Sequence, residues 1–68
     1  MTLYHELGVS KDASESAIKK AYRDLVRENH PDTLMAKGMP AEFVELANEK
    51  LAKINDAYDR IKKARGFN

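Results

Sequence analysis

The sequence predicts an all-α fold: a short helix over residues 3–7 and an antiparallel helical hairpin of residues 15–29 and 41–64, closed by a loop over residues 30–40. Three observations carry this expectation. Apolar residues recur at three- and four-residue steps through two long stretches, the period of a helix with one buried face. His30-Pro31 at one end of the gap between them, and Gly38 and Pro40 at the other, punctuate the chain. Sixty-eight residues without cysteine make one small domain with no disulfide framework, so helix packing supplies the stability, about 3–5 kcal/mol for a chain of this size.

In order along the chain, Thr2 offers an N-cap and Gly8 a stop for the first helix, in which Tyr4 and Leu7 turn to the core and His5 lies on the solvated side. Val9 to Ala13 connect, with Val9 tucked inwards. Ser14 caps the second helix and Glu15 suits its positive end. At about 100° per residue, Ile18, Ala21, Tyr22, Leu25 and Val26 form the buried stripe, while Lys19, Lys20, Arg23 and Arg27 gather on the opposite side. Glu15, Asp24 and Glu28 flank that basic ridge. Pro31 disfavours helical geometry at the residue before it, so the helix stops at Asn29 and His30 leaves it extended. A titratable ring and a carboxylate, His30 and Asp32, then flank a rigid corner.

Leu34, Met35 and Met39 are apolar for a loop, and some of them are expected to fold back onto the helices. Pro40 fits the first position of the last helix, whose stripe runs through Phe43, Ala47, Leu51, Ile54, Ala57, Tyr58 and Ile61. Lys62, Lys63 and Arg65 complement the helix dipole in its last turn, and Gly66 is a natural residue to end it. This helix is ~36 Å long against ~22 Å for its partner, so it overhangs, and the first helix is expected to cover the excess.

Twelve basic and eleven acidic residues give a net charge of +1, against the clear basic excess of non-specific nucleic-acid binders. No apolar run approaches the ~20 residues of a membrane span, and no signal peptide is visible. Two distant histidines and no cysteine make a metal site unexpected, and no cofactor motif is present. No serine or cysteine stands near His30 and Asp32 as a nucleophile, so catalysis by this chain is not expected. A helix–turn–helix reader needs a shorter turn and a basic second helix. The reading that fits is a monomeric docking module. Its ridge steers an acidic partner, and its corner acts at close range through His30, the wedge of Pro31 and the carboxylate of Asp32. The alternative is a basic helical hairpin that binds nucleic acid.

The combination resembles the J domain of the DnaJ co-chaperone family. The resemblance rests on Leu3-Tyr4-His5-Glu6-Leu7-Gly8-Val9, on Ile18-Lys19-Lys20-Ala21-Tyr22-Arg23-Asp24-Leu25, on His30-Pro31-Asp32 and on Ile54-Asn55-Asp56-Ala57-Tyr58, which together cover nearly the whole chain. Met35 to Pro40 and Lys63 to Phe67 look most like the DjlA type, in which the J domain is the carboxy-terminal part of a protein with an amino-terminal membrane anchor. The resemblance implies a DnaK-type ATPase chaperone as partner, docked on Lys19, Lys20, Arg23 and Arg27 with Tyr22 beside them. His30, Pro31 and Asp32 would carry the contact that stimulates ATP hydrolysis. It also implies a cytoplasmic domain whose parent is held at the inner membrane. The chain departs from the family at Asn29, where an aromatic is common, at Thr33, where a base often follows, and at Asp24, an acid where many members carry a base. Leu51 falls where an exposed aromatic is frequent. A further helix with a Gln-Lys-Arg-Ala-Ala-like motif is not seen, Lys62-Lys63-Ala64-Arg65 being at most a remnant.

Overall fold

The computed structural model describes residues 3–67 and contains four helices: α1 (Leu3–Glu6), α2 (Glu15–Asn29), α3 (Pro31–Ala36) and α4 (Ala41–Arg65). The fold is all-α, with α2 and α4 forming the expected hairpin. Thr2, the expected first cap, lies outside the described residues. Ser14 caps α2: its extended backbone turns the hydroxyl to accept from the Ala17 N–H at 3.1 Å. The helix stops at Asn29, as Pro31 requires, and the Asn29 amide donates back to the Leu25 carbonyl at 2.8 Å.

The segment over 30–40 departs from expectation. It is not a plain loop, because residues 31–36 form a helix of their own. Pro31 does end α2, but it also sits at the first position of α3, where its missing N–H costs nothing and its fixed φ suits the turn. His30 belongs to both junctions. Its backbone is extended, and its Nδ1 accepts the Asp32 N–H at 3.1 Å, an N-cap made by an imidazole. Gly38 closes α3 at φ +76°, a left-handed conformation glycine adopts at little cost, and the Met39 N–H returns to the Leu34 carbonyl at 3.1 Å. Pro40 stands one place earlier than expected, as the N-cap of α4 rather than its first residue.

Leu7, Ile18, Ile54 and Ile61 form the central cluster, with all three isoleucines fully buried, each worth about 1.5–3 kcal/mol of transfer free energy. Tyr4, Val9, Leu25 and Leu51 pack around it half-buried. Between the two long helices Tyr22 stacks on Tyr58, ring centroids 3.9 Å apart and planes within 7°, while the Tyr22 hydroxyl donates to Asn55 Oδ1 at 2.6 Å.

The overhang of α4 is covered from two sides rather than by α1 alone, since α1 and α3 both pack on it. Leu34 is the one buried side chain of α3, and a six-residue helix seats no more than that. Phe43, expected on the buried stripe of α4, consequently stays half exposed. At the other end Arg65 acts as a clasp. Its guanidinium donates to the Tyr4 hydroxyl at 3.1 Å and to the carbonyls of Ala13 and Lys11 at 2.6 Å each, and lies 5.2 Å from the centre of the Tyr4 ring.

Candidate partner-docking site

The site begins with how α2 presents its charges. Ile18 is fully buried, and that pins the helix with Lys20, Arg23 and Arg27 exposed and Lys19 half-buried. Each base is then defined by its neighbours. Lys19 pairs with Glu15 at 3.2 Å, and its ammonium also lies 5.5 Å from the centre of the Phe67 ring, which itself packs edge-on to Tyr58. Lys20 and Arg27 both reach Asp24, at 2.8 and 3.5 Å. Arg23 forms no ion pair among the described residues. Asp24 is therefore a hub within the ridge rather than a flank of it. Its hydrogen bond from Lys20 holds the carboxyl below its ordinary value; desolvation opposes this, and the charges of Lys20, Arg27 and Arg23 each add a lesser downward push. Tyr22, expected beside the ridge, is half-buried and committed to Tyr58 and Asn55.

The corner lies one residue beyond the end of this helix. His30 and Asp32 point outwards, with side chains 51% and 89% exposed, and Pro31 is half-buried between them. The His30 ring and the Asp32 carboxylate are 3.9 Å apart, too far for a hydrogen bond; what joins the two residues is the ring's bond from the Asp32 backbone N–H. With Nδ1 accepting, the neutral ring carries its proton on Nε2, the nitrogen available to a partner. The corner is thus fixed by two helices, while both of its polar ends remain open to solvent.

The sequence missed two participants and misplaced a third. Phe67 covers Lys19, Asn55 receives the Tyr22 hydroxyl, and Asp24 gathers two bases. Only the last had a sequence signal, in its i−4 and i+3 spacing to Lys20 and Arg27. Among the described residues no group of three or more His, Asp or Glu side chains is placed to hold a metal ion, and no helix is long and apolar enough to cross a membrane.

The comparisons with known proteins point the same way as the corner. The family model of the DnaJ domain matches residues 2–65. Over 64 residues, 94% of this chain, it is 51% identical to the co-chaperone protein DjlA of Shewanella oneidensis, of which it covers 24%. The same span is 52% identical to the DjlA protein of Vibrio parahaemolyticus and 50% identical to that of Haemophilus influenzae, covering 22% of each. The chain therefore spans less than a quarter of the length of these relatives. No solved structure matches it. With the domain model spanning almost the whole chain and half of its residues shared with DjlA co-chaperones, the protein belongs to the DnaJ-domain family.

Proposed function

We propose that this domain docks on a DnaK-type chaperone and stimulates its ATP hydrolysis, so that the chaperone closes on its client. The observation that carries the proposal is the corner: His30, Pro31 and Asp32 held rigidly between α2 and α3, with an imidazole and a carboxylate facing solvent at the end of a basic helix. In this reading the ridge of Lys19, Lys20, Arg23 and Arg27 steers and registers the complex with an acidic surface. The Asp32 carboxylate accepts from an arginine or backbone amide of the ATPase, and the His30 Nε2 proton is donated alongside. Acceleration follows if these contacts form better with the hydrolysis-competent conformation than with the resting one, because a partner shifts an equilibrium only by its differential affinity. Tyr22 supports the ridge from within the helix pair. The resemblance to DjlA proteins further supports a cytoplasmic domain in the carboxy-terminal part of a parent anchored in the inner membrane; protection of the parent's domain from protease in intact spheroplasts tests that placement.

Single-turnover ATP hydrolysis by the cognate chaperone, with and without the domain, tests the function. The wild type should accelerate the step. His30→Gln and His30→Asn should both abolish acceleration while keeping the helical circular-dichroism spectrum, and asparagine is the sharper of the two because it restores a good N-cap to α3. Acceleration by His30→Asn would mean that His30 serves only to cap a helix. No acceleration by the folded wild type would overturn the proposal.

A further inference from the structure

A second surface, separate from the residues assigned to the ATPase contact, lies where α3 meets the start of α4. Met35, Met39, Phe43 and Leu46 are 66%, 40%, 50% and 60% exposed, in a domain with seven buried apolar side chains among its described residues. They are not scattered. Phe43 and Leu46 border one shallow groove of about 210 Å³ floored by Leu34 and Ala47; Met35 and Val44 border another of about 310 Å³. Met39 is the wall the two grooves share. Few polar groups line them: Asn29 and Lys50 in the first, Glu45 in the second, so nothing converges as it would around a small polar ligand.

Along the first turns of α4 the rim is acidic. Glu42, Glu45 and Glu49 stand at i−4, i−1 and i+3 from Leu46, and no cation occurs between Gly38 and Glu49. Among the described residues none of the three carboxylates forms an ion pair, whereas Asp56 and Asp59 further along α4 pair with Arg60 and Lys63 at 3.2 and 3.1 Å. Lys50 is the one cation among the described residues that lines the first groove.

We propose that this surface docks an amphipathic helix of a partner protein, with aliphatic or aromatic side chains at i, i+3 or i+4 and i+7 set into the two grooves and lysines or arginines paired with Glu42, Glu45 and Glu49. Size favours a single helix. The four side chains expose on the order of 400 Å², about half of the ~800 Å² that each subunit of a stable dimer buries. Charge disfavours the other occupants. In a two-fold dimer the same acidic rim stands on both sides of the interface, and the rim repels an anionic lipid surface. Methionine at two of four positions lets the grooves adapt to different apolar residues.

The test is a titration of the isotope-labelled domain with a synthetic leucine–lysine peptide about five turns long, followed by NMR, with a leucine–glutamate peptide of the same pattern beside it. The methionine methyl signals of Met35 and Met39 and the amides of Phe43 and Leu46 should shift saturably with the basic peptide, while the acidic one binds about tenfold or more weakly. Leu46→Ser, with Phe43→Ser as a second variant should the first fail to fold, should weaken binding about tenfold. Glu42→Lys, Glu45→Lys and Glu49→Lys together should exchange the preference between the peptides. The proposal is overturned by absent shifts at this surface, by equal binding of both peptides, by patch signals that move on dilution of the domain alone, or by patch broadening with phosphatidylglycerol vesicles instead. None of these readouts involves ATP or a chaperone, so this proposal and the co-chaperone function fail independently.

Discussion

Asp24 shows how one side chain alters the meaning of its neighbours. An acid among four bases dilutes the charge of the ridge, yet it also draws Lys20 and Arg27 towards itself and leaves Arg23 as the base with no ion pair among the described residues. Arg23→Ala should therefore weaken chaperone binding about fivefold, and the difference from wild type should shrink as salt is raised. Asp24→Asn should release Lys20 and Arg27 and tighten docking in the same assay. Because the Asp24 carboxyl lies below its ordinary value in the folded state, its contribution to stability is complete at neutral pH and fades as pH falls below the unfolded value of 3.8 and through the folded one. A carbon-detected NMR titration should place its midpoint below 3.8, and Lys20→Ala should move it upwards. A midpoint unmoved by Lys20→Ala would show that the Lys20 bond does not set it.

At the level of elements, the helices visible in the sequence were those with many residues to reveal a period. The starts and ends of α2 could be read from Ser14 and from Pro31, and the end of α4 from Gly66. The helix α3 could not. Six residues hold less than two turns, only Leu34 is buried, and its cap is a histidine, whose ring is not among the usual capping groups. Pro31 is ambiguous by nature, since the same ring that ends one helix opens another. The ridge and the corner were legible as residues, whereas the partners that orient them were not: Asn55 and Phe67 lie 33 and 48 positions from the side chains they meet. Arg65 was read as a dipole-complementing charge and proves to be a clasp, because only the fold brings the carbonyls of Lys11 and Ala13 to it. Arg65→Ala should lower stability by about 2 kcal/mol, the scale of a lost charged hydrogen-bond set. Urea denaturation reads this directly, and an unchanged midpoint would reduce the clasp to a surface contact.

The whole molecule is a narrow body of 38 × 19 × 19 Å with little stability to lose. Ile54 is fully buried at its centre, and Ile54→Ala should cost about 2–5 kcal/mol, comparable with the total of about 3–5 kcal/mol open to a domain this small. The variant should be largely unfolded at 25 °C by circular dichroism. Met35→Ser and Leu46→Ser, at exposed positions, should stay within about 0.5 kcal/mol of wild type. The contrast separates the residues that make the domain from those left exposed on its surface.

The clasp also sets a timetable. Arg65 joins Tyr4, Lys11 and Ala13 across 61, 54 and 52 positions of chain. At about 5–20 residues per second of synthesis, roughly 3–12 s separate the making of Tyr4 from that of Arg65. Throughout that interval α1 has been translated but the guanidinium that ties it down has not. The amino-terminal turn of the domain is thus secured by the last residue of α4, and folding on the ribosome can be completed only after that residue emerges.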